Sequence, residues 1–198
     1  SDLGSLERNM DSVVEEAKMF GTNRIVITGM YRYDYTSYSS VSSLAMRLNK
    51  CGENLKKCGM ELFYHNHNIE LSANEKGRRA LDVLIDETDG GNLSFEIDTY
   101  WLNEGGSDSK EWMKKMGGRM KLWHIADRGW RGKSNQITPI VECDNVELGL
   151  GNMPLCELLD IAKDNGVEEI VLETHRNWIH NDPLESLEIS GKWLRERL

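Results

Sequence analysis

At residues 61–70 the chain reads ELFYHNHNIE, a short and largely apolar run that passes directly into a group of histidines. Apolar runs of this length are typical of β-strands that are buried on both faces. Similar runs recur along the chain, and polar side chains follow most of them. The predicted strands are Arg24–Thr28, Glu61–His65, Leu93–Asp98, Met120–Ile125 and Glu169–Glu173.

Longer segments with a helical spacing of apolar residues separate these strands. The predicted helices are Leu6–Phe20, Ser40–Cys58, Arg78–Thr88, Lys110–Met116, Leu155–Asn165 and Leu184–Arg197. The alternation of strands and helices indicates an α/β fold with a parallel sheet, and we expect a single domain over residues 1–198. The stretch Asp127–Gly151 shows few clear periods and is predicted to be a long loop, which in a compact domain is more often functional than idle.

Five such strands fit either an open doubly wound sheet or part of an eight-stranded barrel. A sheet that binds dinucleotides carries a glycine-rich turn after its first strand, because the backbone must approach the phosphates closely. Here the first strand is followed by Gly29-Met30-Tyr31, which is not such a turn. The sequence therefore gives little support to nucleotide binding.

The C-terminal ends of the predicted strands hold four of the five histidines in the chain. α/β proteins build their functional sites at these ends. Residues two apart in a strand point to the same face, so several of these polar side chains share a face. The polar residues at the strand ends are His65, His67, Glu70, Glu96, Asp98, His124, Asp127, Glu173, His175 and Arg176.

If the strands are parallel, a His, an Asp, a second His and a Glu from four successive strands meet at one mouth. Mixed imidazole and carboxylate ligands suit Mn²⁺, Zn²⁺, Co²⁺ or Fe²⁺ better than Ca²⁺ or Mg²⁺. Each residue also has an ordinary alternative: His124 as a hydrogen-bonded core histidine, Asp98 as a helix cap, and Glu173 as an ion-pair partner. Because the pattern repeats at four consecutive strands, it favours a divalent metal site.

Other enzyme classes fit the sequence less well. No Gly-x-Ser-x-Gly turn is present for a serine hydrolase, and no cysteine stands at a strand end for thiol catalysis. A glycosidase needs two carboxylates, and Glu96 with Glu173 remains an open alternative of this kind. That alternative leaves the histidines without a role.

The composition of the chain argues against some classes of binding partner. Of its residues, 39% are hydrophobic and 29% charged, as in a globular protein, and the formal net charge is −9. With no basic stripe we expect no nucleic-acid partner, and with no apolar run of about 18–20 residues we expect no membrane span. The four cysteines form no CxxC pair, which predicts reduced thiols and a cytoplasmic protein. An export signal would escape this reasoning if the N-terminus were missing.

At these residues the chain resembles the sugar phosphate isomerase/epimerase family, the xylose isomerase-like (β/α)₈ TIM barrels. The likeness is greatest to the subgroup with a Tyr-His-Asn-His strand. Matching stretches span about three quarters of the chain in the expected order. They are GMELFYHNHNIEL at 59–71, FEIDTYW at 95–101, LWHIAD at 122–127, ELGLGN at 147–152, VLETHR at 171–176 and DPLESLEISGKWL at 182–194.

The resemblance implies that the chain supplies the last five βα units of such a barrel and lacks roughly its N-terminal third. Five strands of a barrel leave sheet edges open. We expect the open side either to be filled by a second copy of the chain or another completing chain, or to be left exposed.

The resemblance also implies an enzyme, a divalent-metal-dependent isomerase or epimerase that removes a proton beside the carbonyl of a small sugar or keto-sugar. The metal ligands that it implies are His65, Asp98, His124 and Glu173, and Glu173 is also the base. Many relatives carry Glu where this chain has His65, and Glu70 and His67 are the alternative ligands.

A histidine, His65 or His67, can instead donate a proton to a leaving group, and His67 is the one that we assign to catalysis. A keto-sugar dehydratase or lyase is therefore one alternative function, and a sugar-binding barrel without activity is another. Four further residues are expected to bind substrate or to support those that do. They are Glu70, Trp101, Asp127 and Arg176.

Overall fold

The computed structural model describes residues 1–132 and 140–198. Within these residues, five parallel strands form one sheet in which neighbours along the chain are also neighbours in the sheet. A separate antiparallel ribbon joins two short strands, β5 and β6. The strands are β1 Arg24–Thr28, β2 Glu61–His65, β3 Ser94–Asp98, β4 Met120–Ile125, β5 Asp127–Gly129, β6 Asp144–Val146 and β7 Glu169–Leu172; the parallel sheet has the order β1-β2-β3-β4-β7.

Helices connect successive strands of the parallel sheet. Apolar side chains of these helices belong to the same buried core as those of the strands. The α-helices are α1 Leu3–Arg8, α2 Met10–Met19, α3 Tyr38–Lys57, α4 Ala80–Glu87, α5 Thr99–Glu104, α6 Ser109–Met116, α7 Leu155–Asn165 and α8 Pro183–Arg195. Short 3₁₀ turns occur at Ile69–Leu71, Gly117–Arg119 and Ile179–Asn181.

The parallel sheet is curled, so that its two edge strands approach each other at their N-terminal ends. Arg24 begins β1 and forms ion pairs with Glu168 and with Glu169, the first residue of β7, at the opposite edge of the sheet. A flat sheet of five strands would hold these residues about 19 Å apart, since neighbouring strands are separated by about 4.8 Å. The described residues thus form a parallel half-barrel, as expected of an incomplete barrel.

The five strands that the sequence predicts are confirmed to within one residue at each end, whereas one helix prediction is wrong. The segment Leu6–Phe20 is not a single helix, because α1 ends at Arg8 and α2 begins at Met10. Asn9 lies between them with φ −138° and ψ 45°, outside the helical region. Asparagine competes poorly in helix interiors because its amide offers the backbone other hydrogen bonds.

The predicted loop Asp127–Gly151 is more ordered than its sequence suggests. Its two ends pair as β5 and β6, with Asp127 opposite Val146 and Gly129 opposite Asp144. Residues 133–139 of this stretch lie outside the described residues. The short α5, which the sequence did not predict, follows directly after β3 because the Asp98 side chain caps it.

Gly52 lies where α3 passes close to the turn before β3. A methyl group at Gly52 would come within 1.9 Å of the Asn92 carbonyl oxygen.

Within the described part of the chain, no helix is long and apolar enough to cross a membrane.

We expect Gly52→Ala to destabilise the protein by about 1–3 kcal/mol, because overpacking outweighs the gain that alanine normally brings to a helix. Urea unfolding followed by circular dichroism measures this change. Gly191→Ala in α8 is the matched control, since its methyl group would meet only the mobile end of Arg195. Equal stability of the two variants would contradict the close approach.

Candidate metal centre and acid–base groups

The predicted site residues meet at the C-terminal edge of the parallel sheet. In the register of the strands, His65 on β2 lies beside Glu96 on β3, and Asp98 on β3 lies beside His124 on β4. Neighbouring residues of a parallel pair point to the same face of the sheet. Three strands therefore present their polar ends to one point.

The centre of this edge is a compact group formed by His65, Asp98 and His124. One nitrogen or oxygen atom from each lies within 4.8 Å of the other two, and all three side chains are buried. Asp98 Oδ2 lies 2.6 Å from His124 Nδ1 and 4.0 Å from His65 Nε2. Burial acts to lower the pKa of His124, but the hydrogen bond and the charge of Asp98 outweigh it and raise the pKa.

Asp98 divides its two carboxylate oxygens between two tasks. Oδ1 accepts a hydrogen bond of 3.0 Å from the Trp101 amide and so caps the N-terminus of α5. Oδ2 faces the two imidazoles. The helix cap that the sequence offered as an alternative role for Asp98 is therefore present together with its place in the cluster.

Glu96 orients the His65 ring, a role that the sequence analysis missed. His65 Nδ1 lies 3.1 Å from Glu96 Oε1, which leaves Nε2 pointing toward Asp98. Metal-ligating histidines commonly bond a carboxylate through their other nitrogen, which fixes the ring and raises its basicity. The available signal was the spacing of Glu96 and Asp98, which places both on one face of β3.

Glu173 lies beside His124 rather than within the group of three. Its Oε2 is 3.1 Å from His124 Nε2 and 3.4 Å from His175 Nε2. The Glu173 side chain is 45% exposed, whereas those of Asp98 and His124 are almost inaccessible. The carboxylate therefore stands between the buried cluster and the solvent, where a ligand can approach it.

His67 and Trp101 form an aromatic side of the site. The His67 ring centroid lies 5.0 Å from that of His65 and 5.7 Å from that of Trp101, and Trp101 in turn lies 6.3 Å from His175. Both His67 and Trp101 are partly exposed. Burial and the nearby His65 lower the pKa of His67.

Glu70 is fully buried, and both oxygens of its carboxylate accept hydrogen bonds from the protein. Oε1 accepts from the Tyr64 hydroxyl at 2.7 Å and Oε2 accepts from the His67 amide at 2.9 Å. Burial raises the pKa of Glu70. The structure thus places Glu70 behind His67.

Asp127 holds the segment that follows β6. Its buried carboxylate accepts hydrogen bonds from the backbone amides of Gly149, Gly151 and Met153, and from the amide of Arg128. These contacts account for both of its oxygens. The chain segment fixed in this way carries the stretch ELGLGN at 147–152.

Replacement of Asp127 by asparagine should destabilise the protein by about 2 kcal/mol. The charge is lost, and the asparagine NH₂ group would face backbone amides that now donate to a carboxylate oxygen. The measurement is the midpoint of urea unfolding. The control is Asp160→Asn, which removes an exposed charge on α7. An equal midpoint for the two variants would show that the amides do not depend on the Asp127 charge.

Two further charged residues have their partners outside the cluster. Arg176 is exposed, and its Nε donates to Asp144 Oδ2 on β6 at 2.8 Å. Glu147, which the sequence analysis assigned no role, is buried, forms an ion pair with Arg131 and accepts from the Ile179 amide at 2.8 Å. Its presence in the quoted stretch ELGLGN was the only signal for it in the sequence.

The chain matches known proteins along almost its whole length. A family model described as "Xylose isomerase-like TIM barrel" matches residues 5–197. An inosose dehydratase from Clostridium perfringens is 26% identical over 163 residues, which are 78% of this chain and 54% of that protein. The chain thus spans about half the length of the curated relatives it matches.

Solved structures share the fold at lower sequence identity. A sugar phosphate isomerase/epimerase from Parabacteroides distasonis superimposes with a TM-score of 0.78 at 22% identity, covering 98% of this chain and 64% of that one. An IolI protein with a bound zinc atom gives 0.73 at 16% identity, covering 98% and 69%. With its parallel half-barrel and the match over residues 5–197, the chain belongs to the xylose isomerase-like TIM barrel family.

Proposed function

We propose that this chain carries the metal centre and the acid–base groups of a sugar isomerase or epimerase that moves a proton beside a carbonyl. The observation that carries the proposal is the buried group His65, Asp98 and His124 with Glu173 next to it. Such a group costs free energy when its charges are buried without a partner. Its place at the C-terminal ends of the strands is where barrels of this family have room for a substrate.

The donor set fits a divalent transition metal. Two imidazoles and a carboxylate approach one another closely enough for single atoms of all three to reach one ion. Asp98 and His65 are each held by a further hydrogen bond, from the Trp101 amide and to Glu96. When bound, a divalent ion would polarise the carbonyl of a keto-sugar and stabilise the negative charge that develops on its oxygen. Glu173 is the fourth group that we propose for this ion.

Glu173 is the proposed base. It would take the proton from the carbon beside the carbonyl, and the electron pair of that C–H bond would move onto the carbonyl oxygen. Delivery of a proton to the opposite face of the same carbon by a second acid would invert that carbon. Delivery of the proton to the former carbonyl carbon, with the hydroxyl proton of the first carbon passing to the former carbonyl oxygen, would move the carbonyl. The partial exposure of Glu173 lets such a substrate reach it.

Dehydration is a second candidate function, and the position of His67 favours it. The His67 ring lies beside the cluster and is partly exposed, so it can give a proton to a hydroxyl that leaves from the next carbon as water. The dehydratase among the relatives acts on an inosose, a keto-inositol. Trp101 beside His67 offers an aromatic face to the C–H groups of a sugar ring or of an inosose ring.

The test uses the 198-residue chain after removal of metals by a chelator. It is loaded in turn with Mn²⁺, Co²⁺ or Zn²⁺ and incubated in D₂O with a ketohexose or with an inosose. A product that carries deuterium but is otherwise unchanged in mass indicates isomerisation or epimerisation. A product that has lost the mass of water indicates dehydration. A chain that binds none of the three metals, or that exchanges no proton when loaded, would refute the proposal.

A further inference from the structure

Glu70 is a buried carboxylate that no lysine or arginine among the described residues balances. Its side chain has no solvent exposure, and no lysine or arginine within residues 1–132 and 140–198 forms an ion pair with it. A buried carboxylate is costly unless hydrogen bonds compensate the lost water. Here the Tyr64 hydroxyl and the His67 amide provide them, one to each oxygen.

The hydrogen bonds continue beyond Glu70 in one direction. The Tyr64 hydroxyl lies 2.9 Å from that of Tyr35, which accepts a hydrogen bond of 2.8 Å from the Met30 amide. Tyr64 is completely buried and Tyr35 almost so. Since Met30 donates to Tyr35 and Tyr64 donates to Glu70, the hydroxyl of Tyr35 is left to donate to Tyr64. We call this series from Met30 to Glu70 the tyrosine chain.

The tyrosine chain is suited to holding groups in place rather than to carrying protons. It begins at the Met30 peptide amide, which does not release its proton, and ends at Glu70, whose other oxygen accepts from the His67 peptide amide. It therefore links the backbone after β1 to the backbone after β2. Both backbones border the candidate site.

The turn after β1 packs directly against His67. Gly29 has φ +31°, and a methyl group there would lie 3.1 Å from His67 Nδ1 and 3.2 Å from Glu70 Oε1. A cavity of about 120 Å³ opens at this place, lined by residues of both segments. Its lining residues are Thr28, Gly29, Met30, Tyr31, His67 and Ile69.

We propose that Glu70 is a positioning residue that fixes His67 against the Gly29–Met30 turn, so that the two form one wall of the substrate pocket. This inference rests on the proposed function, because it gives His67 its place relative to the cluster. It differs from the expectation that Glu70 binds substrate, since both carboxylate oxygens are already engaged. A small displacement of a catalytic group from its productive position can cost about 100-fold in rate.

The test compares Glu70→Gln and Tyr64→Phe with Tyr38→Phe. The first two interrupt the tyrosine chain while keeping the volume of the side chain. Tyr38→Phe is the matched control, because it removes a hydroxyl that donates to Glu87. Glu87 belongs neither to the tyrosine chain nor to the candidate site. Near-ultraviolet circular dichroism checks that each variant is folded, and Tyr35→Phe replaces any variant that is not.

Two readouts follow in the folded variants. Nitrogen-15 NMR of the histidine side chains should show the His67 signals shifted or broadened in Glu70→Gln and Tyr64→Phe, with His180 unchanged as an internal reference. For the keto-sugar that the metal-loaded chain converts, kcat should fall about 10- to 100-fold while KM stays unchanged. Tyr38→Phe should match the wild type in both.

Unchanged His67 signals and unchanged kcat in folded Glu70→Gln and Tyr64→Phe would overturn the inference. A fall in stability with no change in His67 would also overturn it, because it would reduce Glu70 to a packing role. Binding of Co²⁺, followed by its visible absorption, separates this inference from the proposed function. A wild-type chain that binds no Co²⁺ would refute the metal centre, whereas the NMR comparison would still decide whether Glu70 positions His67.

Discussion

The affinity for Mn²⁺ or Co²⁺ should fall by at least about 100-fold in Asp98→Ala, because this change removes the carboxylate that both imidazoles face. Asp98 Oδ2 lies 2.6 Å from His124 Nδ1, and the other buried carboxylate on β3, that of Glu96, is already engaged with His65 Nδ1. Isothermal titration of the chelator-treated protein measures the change. Deuterium exchange into a keto-sugar should be lost with the metal.

Asp98→Ala also removes a helix cap, which alone costs about 1 kcal/mol of stability. Asp108→Ala is the matched control for this effect, because Asp108 caps α6 through the Lys110 amide and lies outside the candidate site. It should show the loss of stability without the loss of metal affinity. Equal metal affinity of the two variants would remove Asp98 from the proposed centre.

Proton exchange should fall about 10²- to 10⁴-fold in Glu173→Gln, the range expected when general-base assistance is lost. Glutamine keeps the size of the side chain and one oxygen, so His65, Asp98 and His124 are left in place. The measurement is the rate at which deuterium from D₂O enters the carbon beside the carbonyl of the substrate.

Two comparisons sharpen the experiment on Glu173. Glu188→Gln removes a charge from the exposed side of α8 and should exchange like the wild type. Metal content measured on the same samples separates a missing base from a missing metal. If Glu173→Gln exchanges at the wild-type rate with its metal retained, another group is the base.

The sheet and the centre of the site were predictable because their signals are local. Each strand is a short apolar run, and the residues that the structure gathers, among them His65, Asp98 and His124, stand at the ends of such runs. Parallel pairing then places these ends on one edge without further information. The family match confirms the barrel class that the motifs indicated.

The roles of single residues were less accessible, because they depend on partners far along the chain. Asp127 accepts from amides that follow it by 22 to 26 residues, so the sequence does not distinguish a loop anchor from a substrate ligand. Glu96 orients a histidine 31 residues before it. Helix α5 was not predicted because it is only six residues long, although a cap was considered as an alternative role for Asp98.

The two oxygens of the Asp98 carboxylate have different partners, and this affects which ions the site can bind. Since Oδ1 is committed to the Trp101 amide, this side chain can serve an ion only as a monodentate ligand. Calcium prefers six to eight oxygen ligands and often takes both oxygens of a carboxylate. The Asp98 carboxylate therefore disfavours calcium in two ways. It offers the ion only one oxygen, and its neighbours are imidazole nitrogens rather than the oxygen ligands that calcium prefers.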